Sequence, residues 1–375
     1  MGAITVFVAG SGGIGSAVGL LMRQFWDKEV NLFLGDIDKA AADKACDWIK
    51  RGGASPGTVT SVTMTDGWQT NLTEADLLLD CLPGRFAPEM AAVALQYGLH
   101  YVNLTEYVAE TKQIVEMAEK AETGFALQSG LAPGFVNVLG NQLFHDFCEQ
   151  FGVQSAERLE MRVGALTKNA VSPHFYGFTW SPIGVATEYV KDAEVVRNHQ
   201  LINVPSLSER RSLLIDGRPY EEELTSGGAA DIPIALASKI RNIDYKTLRY
   251  PGHYAWVNGI LQTVPQGRET ISYLEEEMLR HVPSVEDDEV IVYCAVEGLD
   301  SYGRLRRIDE ALRVLPIQIG DVTLRAIQST TAAGMAEAAR LIVENQHRGV
   351  LFQSQIDSAD FLNGPFVRPV YYGQE

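Results

Sequence analysis

The sequence predicts an α/β protein in which a doubly wound parallel sheet carries an inserted α+β domain. Three observations lead to this prediction. An apolar strand, a glycine-rich turn and an amphipathic helix follow one another within about the first 25 residues. Strand patterns and helical patterns then alternate to about residue 130, as in a doubly wound sheet. From about residue 155 the strands lengthen and show polar alternation, which is typical of an antiparallel or mixed sheet.

The opening stretch, ITVFVAGSGGIGSAVGLLM, predicts a buried central strand followed directly by a helix. Between them Gly10, Gly12 and Gly15 form a G-x-G-x-x-G pattern. In a dinucleotide site the first glycine permits the tight turn, the second lets a pyrophosphate approach the backbone, and the third lets helix and strand pack closely. The helix amino terminus, with Gly13 and Ile14, supplies N–H donors to the phosphates. The sequence therefore predicts a dinucleotide site.

The second predicted strand, VNLFLGDID, ends at Asp36, which follows Gly15 by 21 residues. An acidic residue at about this distance binds the ribose hydroxyls of the adenosine half. A carboxylate here would repel a 2′-phosphate, and the next basic residue, Lys39, is expected in the first turn of the following helix. We therefore expect NAD as the cofactor, with NADP as the less favoured alternative.

The remaining elements follow in order. Helices are predicted near 38–51, 86–97 and 106–122, and strands at TVTSVTM, ADLLLDCL, HYVNL and GFALQSG. Later strands are predicted at ERLEMRVGAL, RRSLLIDG, DEVIVYCAVEG and GRLRRIDEALRVLPI, with hairpin turns at GLDSYG and IDGRPY. The helix TLRAIQSTTAAGMAEAARLIVENQ is expected to return to the first domain, and the tail GPFVRPVYYGQE to be exposed or docked. We expect a cofactor domain at 1–130 with 320–375, and a substrate and dimerisation domain at 131–319.

Composition excludes several classes of function. A formal net charge of -17 without a Lys/Arg run argues against nucleic acid as a partner. No apolar run is long enough for a membrane span, and no basic leader precedes the first glycines. The four cysteines and seven histidines are scattered without metal-ligand spacing, so we expect no metal. Together these features predict a cytoplasmic protein.

Several segments in order resemble the saccharopine dehydrogenase family. They are VFVAGSGGIGSAV, DCLPGRF, GLHYVNLTE, SGLAPGFVNVLG, FTWSPIGVATEYV, YKTLRYPGH and IQSTTAAG. The resemblance covers nearly the whole chain. It implies a Rossmann domain, an inserted substrate and dimerisation domain, and hydride transfer between nicotinamide and a carbon that bears nitrogen. The chain departs from the family at GALTKN, where relatives often have Gly-Gly-Leu-Pro, and at Asn103, where an acid is common.

Two loops at the ends of predicted strands extend the candidate cofactor site. Cys81, Leu82 and Pro83 follow the fourth strand and are expected to line the path from adenosine to nicotinamide, or to form only a turn. After the fifth strand, Thr105 is a candidate cofactor contact and Glu106 a candidate catalytic residue at the substrate amine. The alternative is an ordinary helix start, with Thr105 as its N-cap.

Candidate substrate residues come from three further segments. Pro133 and Gly134 shape a loop near the nicotinamide, or simply connect a strand to a helix. Trp180 is a candidate wall of an apolar pocket, and Glu188 is a candidate partner for an amino group. The alternatives are a core tryptophan and a solvated glutamate.

YKTLRYPGH contributes the last candidates. Arg249 is expected to bind a substrate carboxylate through a two-pronged contact, with Tyr250 beside it in the substrate site. His253 is a candidate proton shuttle, because an unperturbed histidine titrates near ~6.5. The alternatives are a surface ion pair and an ordinary histidine at a helix start.

The resemblance thus implies an oxidoreductase that acts on a C–N bond of a lysine-derived amino acid, as in saccharopine or lysine 6-dehydrogenation. One alternative is carboxynorspermidine-type reductive condensation of a polyamine, for which Glu106, Glu188 and the EEEL run at 221–224 could supply acidic groups. An alternative of another class is a non-catalytic dinucleotide-binding regulator. We also expect a homodimer, built through the second domain.

Overall fold

The computed structural model describes residues 2–53 and 55–373. They form two compact units. The first contains the chain up to Val138, Pro316–Leu324 and the chain from Gln328 onward, and the second contains Leu139–Leu315 and Arg325–Ile327. No helix within the described residues combines the length and apolar character needed to cross a bilayer. The assignment of cofactor and substrate binding to separate domains, with a boundary near residue 130, stays a prediction.

The first part of the chain alternates strands and helices, as the sequence predicts. Its elements are β1 (Ile4–Ala9), α1 (Gly13–Phe25), β2 (Val30–Asp36), α2 (Lys39–Arg51), β3 (Val59–Thr63), β4 (Leu77–Asp80), α3 (Ala87–Tyr97), β5 (His100–Asn103), α4 (Val108–Ala118), β6 (Gly124–Ala126) and α5 (Phe135–Phe151).

The middle of the chain forms the second unit. Its elements are β7 (Ala156–Thr167), α6 (Pro182–Val190), β8 (Ala193–Arg197), β9 (Gln200–Val204), β10 (Arg211–Ile215), β11 (Arg218–Leu224), α7 (Ile232–Leu236), β12 (Ile240–Arg249), α8 (His253–Leu261), α9 (Thr270–His281), β13 (Asp288–Leu299) and β14 (Leu305–Val314). The last elements are β15 (Ile317–Ile319), β16 (Val322–Leu324), α10 (Ala326–Glu344), β17 (Gly349–Leu351), α11 (Ser358–Leu362) and α12 (Val367–Tyr371).

The first unit contains a parallel seven-stranded sheet in the order β17-β6-β5-β4-β1-β2-β3. Because β1 lies between β2 and β4, the strand order reverses there, and the carboxyl ends of these strands border a crevice that typically binds ligands. β1 and β4 are almost wholly apolar and buried, as expected for central strands covered on both faces. The predicted doubly wound parallel sheet is confirmed.

Three details of this unit differ from the sequence prediction or extend it. α4 begins at Val108 and ends at Ala118, so the predicted helix at 106–122 is too long at both ends. The three-residue β17 was not predicted, because it is too short to show a period. The tail docks, since α12 buries Tyr371 against Phe135 with ring centroids 3.5 Å apart. The last two tail residues, 374 and 375, lie outside the described residues.

The second unit contains a mixed sheet in the order β10-β11-β12-β7-β13-β14, with β8 and β9 attached beside β12. β7 and β12 run parallel, and the other neighbours are antiparallel. Both predicted hairpin turns are confirmed. Asp216 and Gly217 adopt positive φ angles of 50° and 75° between β10 and β11, as a two-residue hairpin turn requires. Asp300 accepts hydrogen bonds from the backbone of Tyr302 and Arg304 between β13 and β14.

Candidate functional site

The glycine turn between β1 and α1 gives each of its three glycines a different environment. Gly10 has a φ of +97°, and a β-carbon there would lie 2.9 Å from the carbonyl oxygen of Cys81. At Gly15 a β-carbon would lie 1.9 Å from the carbonyl oxygen of Gly10, so only glycine lets α1 pack this closely on the turn. At Gly12 a β-carbon would meet nothing within 4 Å. The turn is therefore tight on its inner side and open at Gly12.

The amino terminus of α1 faces this open side. Gly12 is its N-cap residue and makes no side-chain capping bond, while Gly13 and Ile14 form the start of the helix. The first turn, which lies wholly within the described residues, carries no acidic side chain. Because the first N–H groups of a helix have no partner within it and carry the positive end of its dipole, this terminus suits a phosphate group.

Asp36 ends β2 beside the same turn. Its Oδ2 accepts hydrogen bonds from Ser11, 3.1 Å from the backbone N and 2.7 Å from Oγ, and its Oδ1 accepts one from the backbone N of Asp38 at 3.1 Å. Partial burial works to raise the pKa of the Asp36 carboxyl, but these hydrogen bonds outweigh it and hold the pKa below its usual range. The carboxylate is therefore ionised at neutral pH.

A second carboxylate and a paired lysine lie next to Asp36. Asp38 caps α2 by accepting a hydrogen bond from the backbone N of Ala40 at 2.9 Å. Lys39 begins α2, as expected, and its ammonium group is bound by Asp43 and by Ser61, the latter at 2.8 Å. The nearest cation in the sequence is thus held by other side chains, while the carboxylates of Asp36 and Asp38 lie at and just after the end of β2.

The loop after β4 lies directly against the glycine turn. The carbonyl of Cys81 and the side chain of Leu82 are the groups that a β-carbon at Gly10 would meet. Pro83, which is exposed, precedes a short 3-10 segment at Gly84–Phe86. Burial raises the pKa of the Cys81 thiol, and its Sγ lies 3.7 Å from the sulfur of Met335. Cys81 therefore has the character of a packed thiol.

Asp80, the last residue of β4, binds the backbone of this loop. It is buried and accepts hydrogen bonds from the hydroxyl of Tyr101 at 2.8 Å and from the backbone N of Leu82 at 3.0 Å. Burial raises the pKa of the Asp80 carboxyl to about 6, against the lowering effect of these bonds. Sequence analysis missed Asp80, although its place at the end of a buried strand was visible.

The loop after β5 meets the loop after β4. Thr105 is buried, and a β-carbon at Gly84 would lie only 2.3 Å from its Oγ1. The alternative in which Thr105 caps a helix is wrong, because α4 begins three residues later with Tyr107 as its N-cap residue. Instead, Thr105 Oγ1 accepts a hydrogen bond from the backbone N of Tyr107 at 3.2 Å and closes a local turn. Glu106 lies within this loop and is half-buried.

Pro133 and Gly134 form a compact buried turn before α5. Gly134 has a φ of +130°, and a β-carbon there would lie 2.2 Å from the carbonyl oxygen of Gly130. The backbone N of Gly130 donates to the carbonyl of Pro133 at 2.9 Å, and that of Gly134 donates to Asn137 Oδ1 at 2.7 Å. These contacts define a rigid loop in the first unit, and its proximity to nicotinamide stays a prediction.

Arg249 ends β12 in the second unit and is almost completely buried, with 1% of its surface exposed. Its Nε donates to the hydroxyl of Tyr189 at 2.7 Å, and a terminal nitrogen lies 3.0 Å from a carboxylate oxygen of Glu188. The other terminal nitrogen donates to the carbonyl of Leu248 at 2.9 Å. The guanidinium also lies over the ring of Tyr176, 4.8 Å from its centroid. Arg249 is thus an interior cation, not a surface ion pair.

His253 continues this cluster and begins α8. Its Nδ1 lies 2.7 Å from the carbonyl oxygen of His174, and its Nε2 lies 3.0 Å from the hydroxyl of Tyr189. Because a carbonyl only accepts, Nδ1 carries the proton, and Nε2 accepts from Tyr189. Burial and the positive charge of Arg249 lower the pKa of His253 to about 3. The imidazole is therefore neutral at physiological pH, and its two nitrogens have fixed roles.

The other residues predicted for the substrate site separate from this cluster or border it. Tyr250 belongs to a different group of side chains, since its hydroxyl donates to Glu289 at 3.0 Å and its ring stacks on Tyr220. Trp180 is half-buried, and its ring packs against Gly184 in the first turn of α6, so closely that a β-carbon there would lie 2.3 Å from the ring. Arg249, Glu188 and His253 are thus brought together, whereas Tyr250 is not.

Sequence reasoning missed the residue that joins this cluster, Tyr189. It stands 60 residues from Arg249 and 64 from His253 in the chain, so no local spacing connects the three. Its position next to Glu188 on one helical turn was the available signal.

Among residues 2–53 and 55–373, no group of three or more His, Cys, Asp or Glu side chains could hold a metal ion.

Two models of one protein family match nearly the whole chain. The family model "Saccharopine dehydrogenase NADP binding domain" matches residues 6–127, and the model "Saccharopine dehydrogenase C-terminal domain" matches residues 130–369. The mitochondrial alpha-aminoadipic semialdehyde synthase of Mus musculus is 22% identical over 221 residues, which are 56% of this chain and 23% of that protein. Its Rattus norvegicus counterpart is 22% identical over 231 residues, or 58% and 24% of the two chains. The matched region is about a quarter of the length of these relatives.

Two solved structures share the fold over nearly the whole chain. Saccharopine dehydrogenase (L-Glu forming) from Saccharomyces cerevisiae, in its apo form, superposes with a TM-score of 0.75 at 14% identity and covers 98% of both chains. The homospermidine synthase of Legionella pneumophila, solved in complex with NAD, superposes with a TM-score of 0.66 at 13% identity, covering 98% of this chain and 89% of that one.

Proposed function

Because the chain belongs to the saccharopine dehydrogenase family, we propose that it is a nicotinamide-dependent oxidoreductase acting on a C–N bond of a lysine-derived amino acid. The observation that carries the proposal is the turn at Gly10–Gly15, which is open at Gly12 and lies beside the ionised Asp36. The names of the relatives support the same proposal, since a saccharopine dehydrogenase and alpha-aminoadipic semialdehyde synthases are among them.

The residues of the first unit fit a dinucleotide. The N–H groups at Gly13 and Ile14 would hold the pyrophosphate, and Asp36 would accept hydrogen bonds from the adenosine ribose. NAD is the proposed cofactor, because Asp36 and Asp38 would place negative charge beside the 2′-phosphate of NADP, and Lys39 is bound by other side chains. The loops at Cys81–Pro83 and Thr105 would extend the site.

The chemistry follows from the cofactor and from a few positioned groups. A bound nicotinamide would supply the acceptor for a hydride from the carbon bearing the amine, whose nitrogen would lose a proton before water hydrolyses the substrate iminium. The chain's own residues bind, orient and exclude competing water. Glu106 is the proposed proton acceptor, since its loop follows a sheet strand at the candidate cofactor site. His253 would act through Tyr189 as a positioning residue, because its imidazole is buried and neutral.

In the second unit the Glu188–Arg249 pair supports an amino-acid substrate. An amino acid carries both an ammonium and a carboxylate, and this pair offers one group of each opposite charge 3.0 Å apart. Arg249 would bind the substrate carboxylate after Glu188 turns toward the ammonium, with Trp180 and Tyr176 as aromatic neighbours. Pro133 and Gly134, in the first unit, and Tyr250, which lies outside this cluster, stay separate candidates for substrate binding.

The polyamine alternative has less support from the acidic run at 221–224. Glu221 accepts a hydrogen bond from the backbone of Gly252, Glu222 is paired with Arg162, and Glu223 is paired with Arg210. A polyamine would need these carboxylates for its several ammonium groups. The presence of a homospermidine synthase among structures of the same fold keeps this reaction in the test.

The test is a panel of saccharopine, lysine, and a polyamine with a carbonyl partner, followed by NADH absorbance in both directions. Turnover with a lysine-derived substrate supports the proposal. Turnover only with the polyamine would replace it, and dinucleotide binding without any turnover would favour the regulator.

Arg249→Lys should raise KM for a carboxylated substrate with NAD affinity unchanged, because one prong of the contact is lost.

Assembly and location belong to the same proposal. We expect a homodimer through the second unit, which has more sheet than one small core needs. A cytoplasmic location is proposed because the four cysteines are free thiols. Light scattering and cell fractionation measure these two properties directly.

A further inference from the structure

The edge of the second unit's sheet is formed by β14. This strand ends the sheet order and pairs along its whole length with β13; within the part of the chain that the structure describes, it pairs with no other strand. It is ten residues long, and its side chains alternate between exposed and half-buried positions up to Val314, which is buried. An edge strand of this length presents a row of N–H and C=O groups on which another strand can pair.

The charges of β14 are arranged symmetrically about Ile308. Arg306 and Arg307 precede this residue, and Asp309 and Glu310 follow it. We propose that β14 pairs antiparallel with β14 of a second copy of this chain, around a two-fold axis at Ile308. Arg307 then faces the partner's Asp309, and Arg306 faces the partner's Glu310. Since the axis repeats both contacts, the register contains four pairs of opposite charge.

Neighbouring registers are disfavoured by the same charges. In a two-fold antiparallel pair, the residue on the axis faces its own copy. An axis at Arg306, Arg307, Asp309 or Glu310 therefore places two like charges opposite each other, which destabilises the pair. Because side chains alternate between the two faces, a change of register also changes which residues meet. The charge pattern thus selects Ile308 as the centre.

The charged groups are available for this contact. No salt bridge among the described residues includes Asp309 or Glu310. Arg306 uses its Nε for Asp300, 3.0 Å away, which leaves its terminal nitrogens for other contacts. Arg307 donates to Glu160 and to the Tyr293 hydroxyl, both at 2.8 Å, and to Glu297 at 3.4 Å. These three contacts leave two of the five N–H donors of its guanidinium for a further carboxylate. The proposed pairing adds contacts without breaking those within the chain.

Exposed apolar side chains lie where the same register would cover them. Leu305 is 64% exposed and would face the partner's Ala311. Tyr302, in the turn before β14, is 81% exposed and would lie near the partner's Leu315, the residue after that strand. Burial of these groups favours association, because apolar surface is removed from water. Charge and apolar pattern therefore support the same arrangement.

The first test is the mass in solution. Light scattering at micromolar concentration should give twice the 41.2 kDa chain mass for the wild type. Asp309→Arg with Glu310→Arg should give the mass of a single chain, because arginines then face arginines. The matched control, Asp47→Arg with Asp66→Arg, makes the same charge change at exposed sites of the first unit and should stay dimeric. A monomeric wild type, or a dimer unaffected at β14, overturns the proposal.

The second test fixes the register. Ile308→Cys should form a disulfide between two chains under mild oxidation, because facing residues of antiparallel strands have α-carbons roughly 4.5–5.5 Å apart. Leu305→Cys should not, because it faces the partner's Ala311. Wild type measures the background from native thiols on the same non-reducing gel. Crosslinking of Leu305→Cys but not Ile308→Cys would overturn the register. The proposal specifies the surface of the proposed homodimer, and it stands or falls independently of turnover in the substrate panel.

Discussion

The hydroxyl of Tyr189 lies 3.0 Å from Nε2 of His253 and donates a hydrogen bond to it, while the same oxygen accepts a hydrogen bond from Nε–H of Arg249 at 2.7 Å. The donor and acceptor of every hydrogen bond in this series are fixed, because the series ends at the carbonyl oxygen of His174, which can only accept. One tyrosine therefore holds both a buried cation and a buried neutral imidazole. This arrangement makes the cluster sensitive to the loss of a single oxygen.

Tyr189→Phe should lower the free energy of unfolding by about 1–3 kcal/mol, because it leaves the Arg249 Nε–H and the His253 Nε2 buried without their partner. Tyr273→Phe is the matched control. Its hydroxyl lies 3.3 Å from Thr263 in an exposed contact, so its removal should change stability by less than about 0.5 kcal/mol. Urea unfolding of the three proteins measures both effects, and equal losses would show that the Tyr189 hydroxyl is not buried in this network.

The neutral state of His253 predicts a pH dependence of stability. Its pKa is about 3 in the folded protein and roughly 6.5 in an unfolded chain. The unfolded chain thus binds the proton more tightly, and stability that is present above pH ~6.5 is lost as pH falls toward the folded pKa. Between about pH 7 and pH 5 wild type should lose roughly 2 kcal/mol more than His253→Gln.

The control for this experiment is His281→Gln, because the His281 side chain is 57% exposed. That variant should keep the wild-type pH profile. Unfolding free energies at several pH values give the slopes, and a His253→Gln profile parallel to that of wild type would contradict a buried neutral imidazole.

The sequence predicts the fold of the first unit well, because its signals are local. The glycine pattern, the strand before it and Asp36 lie within one strand–helix–strand segment, and topology rules place their ends together. The cluster at Arg249 could not be predicted in this way, since Tyr189 and His253 reach it only through tertiary packing. The start of α4 was missed for a local reason, because the Thr105 hydroxyl closes a turn with Tyr107 instead of capping the helix.

Asp36→Ala should raise the dissociation constant of NAD at least about tenfold, because charge-assisted hydrogen bonds to the ribose are lost. Binding of NADP should weaken less or improve, since the charge that repels its 2′-phosphate is removed. Isothermal titration with both dinucleotides gives the ratio. Asp38→Asn, which keeps an oxygen for the α2 cap, is the control for NAD binding only, since the carboxylate of Asp38 also disfavours a 2′-phosphate. An equal loss for both dinucleotides would remove the ribose assignment of Asp36.

Gly12 and Gly15 separate binding from folding within the same turn. A methyl group at Gly15 would lie 1.9 Å from the carbonyl oxygen of Gly10, so Gly15→Ala should force α1 away from the turn and lower the thermal midpoint. A methyl group at Gly12 meets nothing within 4 Å, and its φ of -64° suits alanine. Gly12→Ala should therefore fold like wild type. It should nevertheless bind NAD more weakly, because the methyl group occupies the space through which a pyrophosphate would approach the N–H groups of α1. Thermal unfolding and NAD titration of both variants distinguish the effects, and a Gly12→Ala protein with wild-type NAD affinity would show that the open side of this turn does not hold the phosphates.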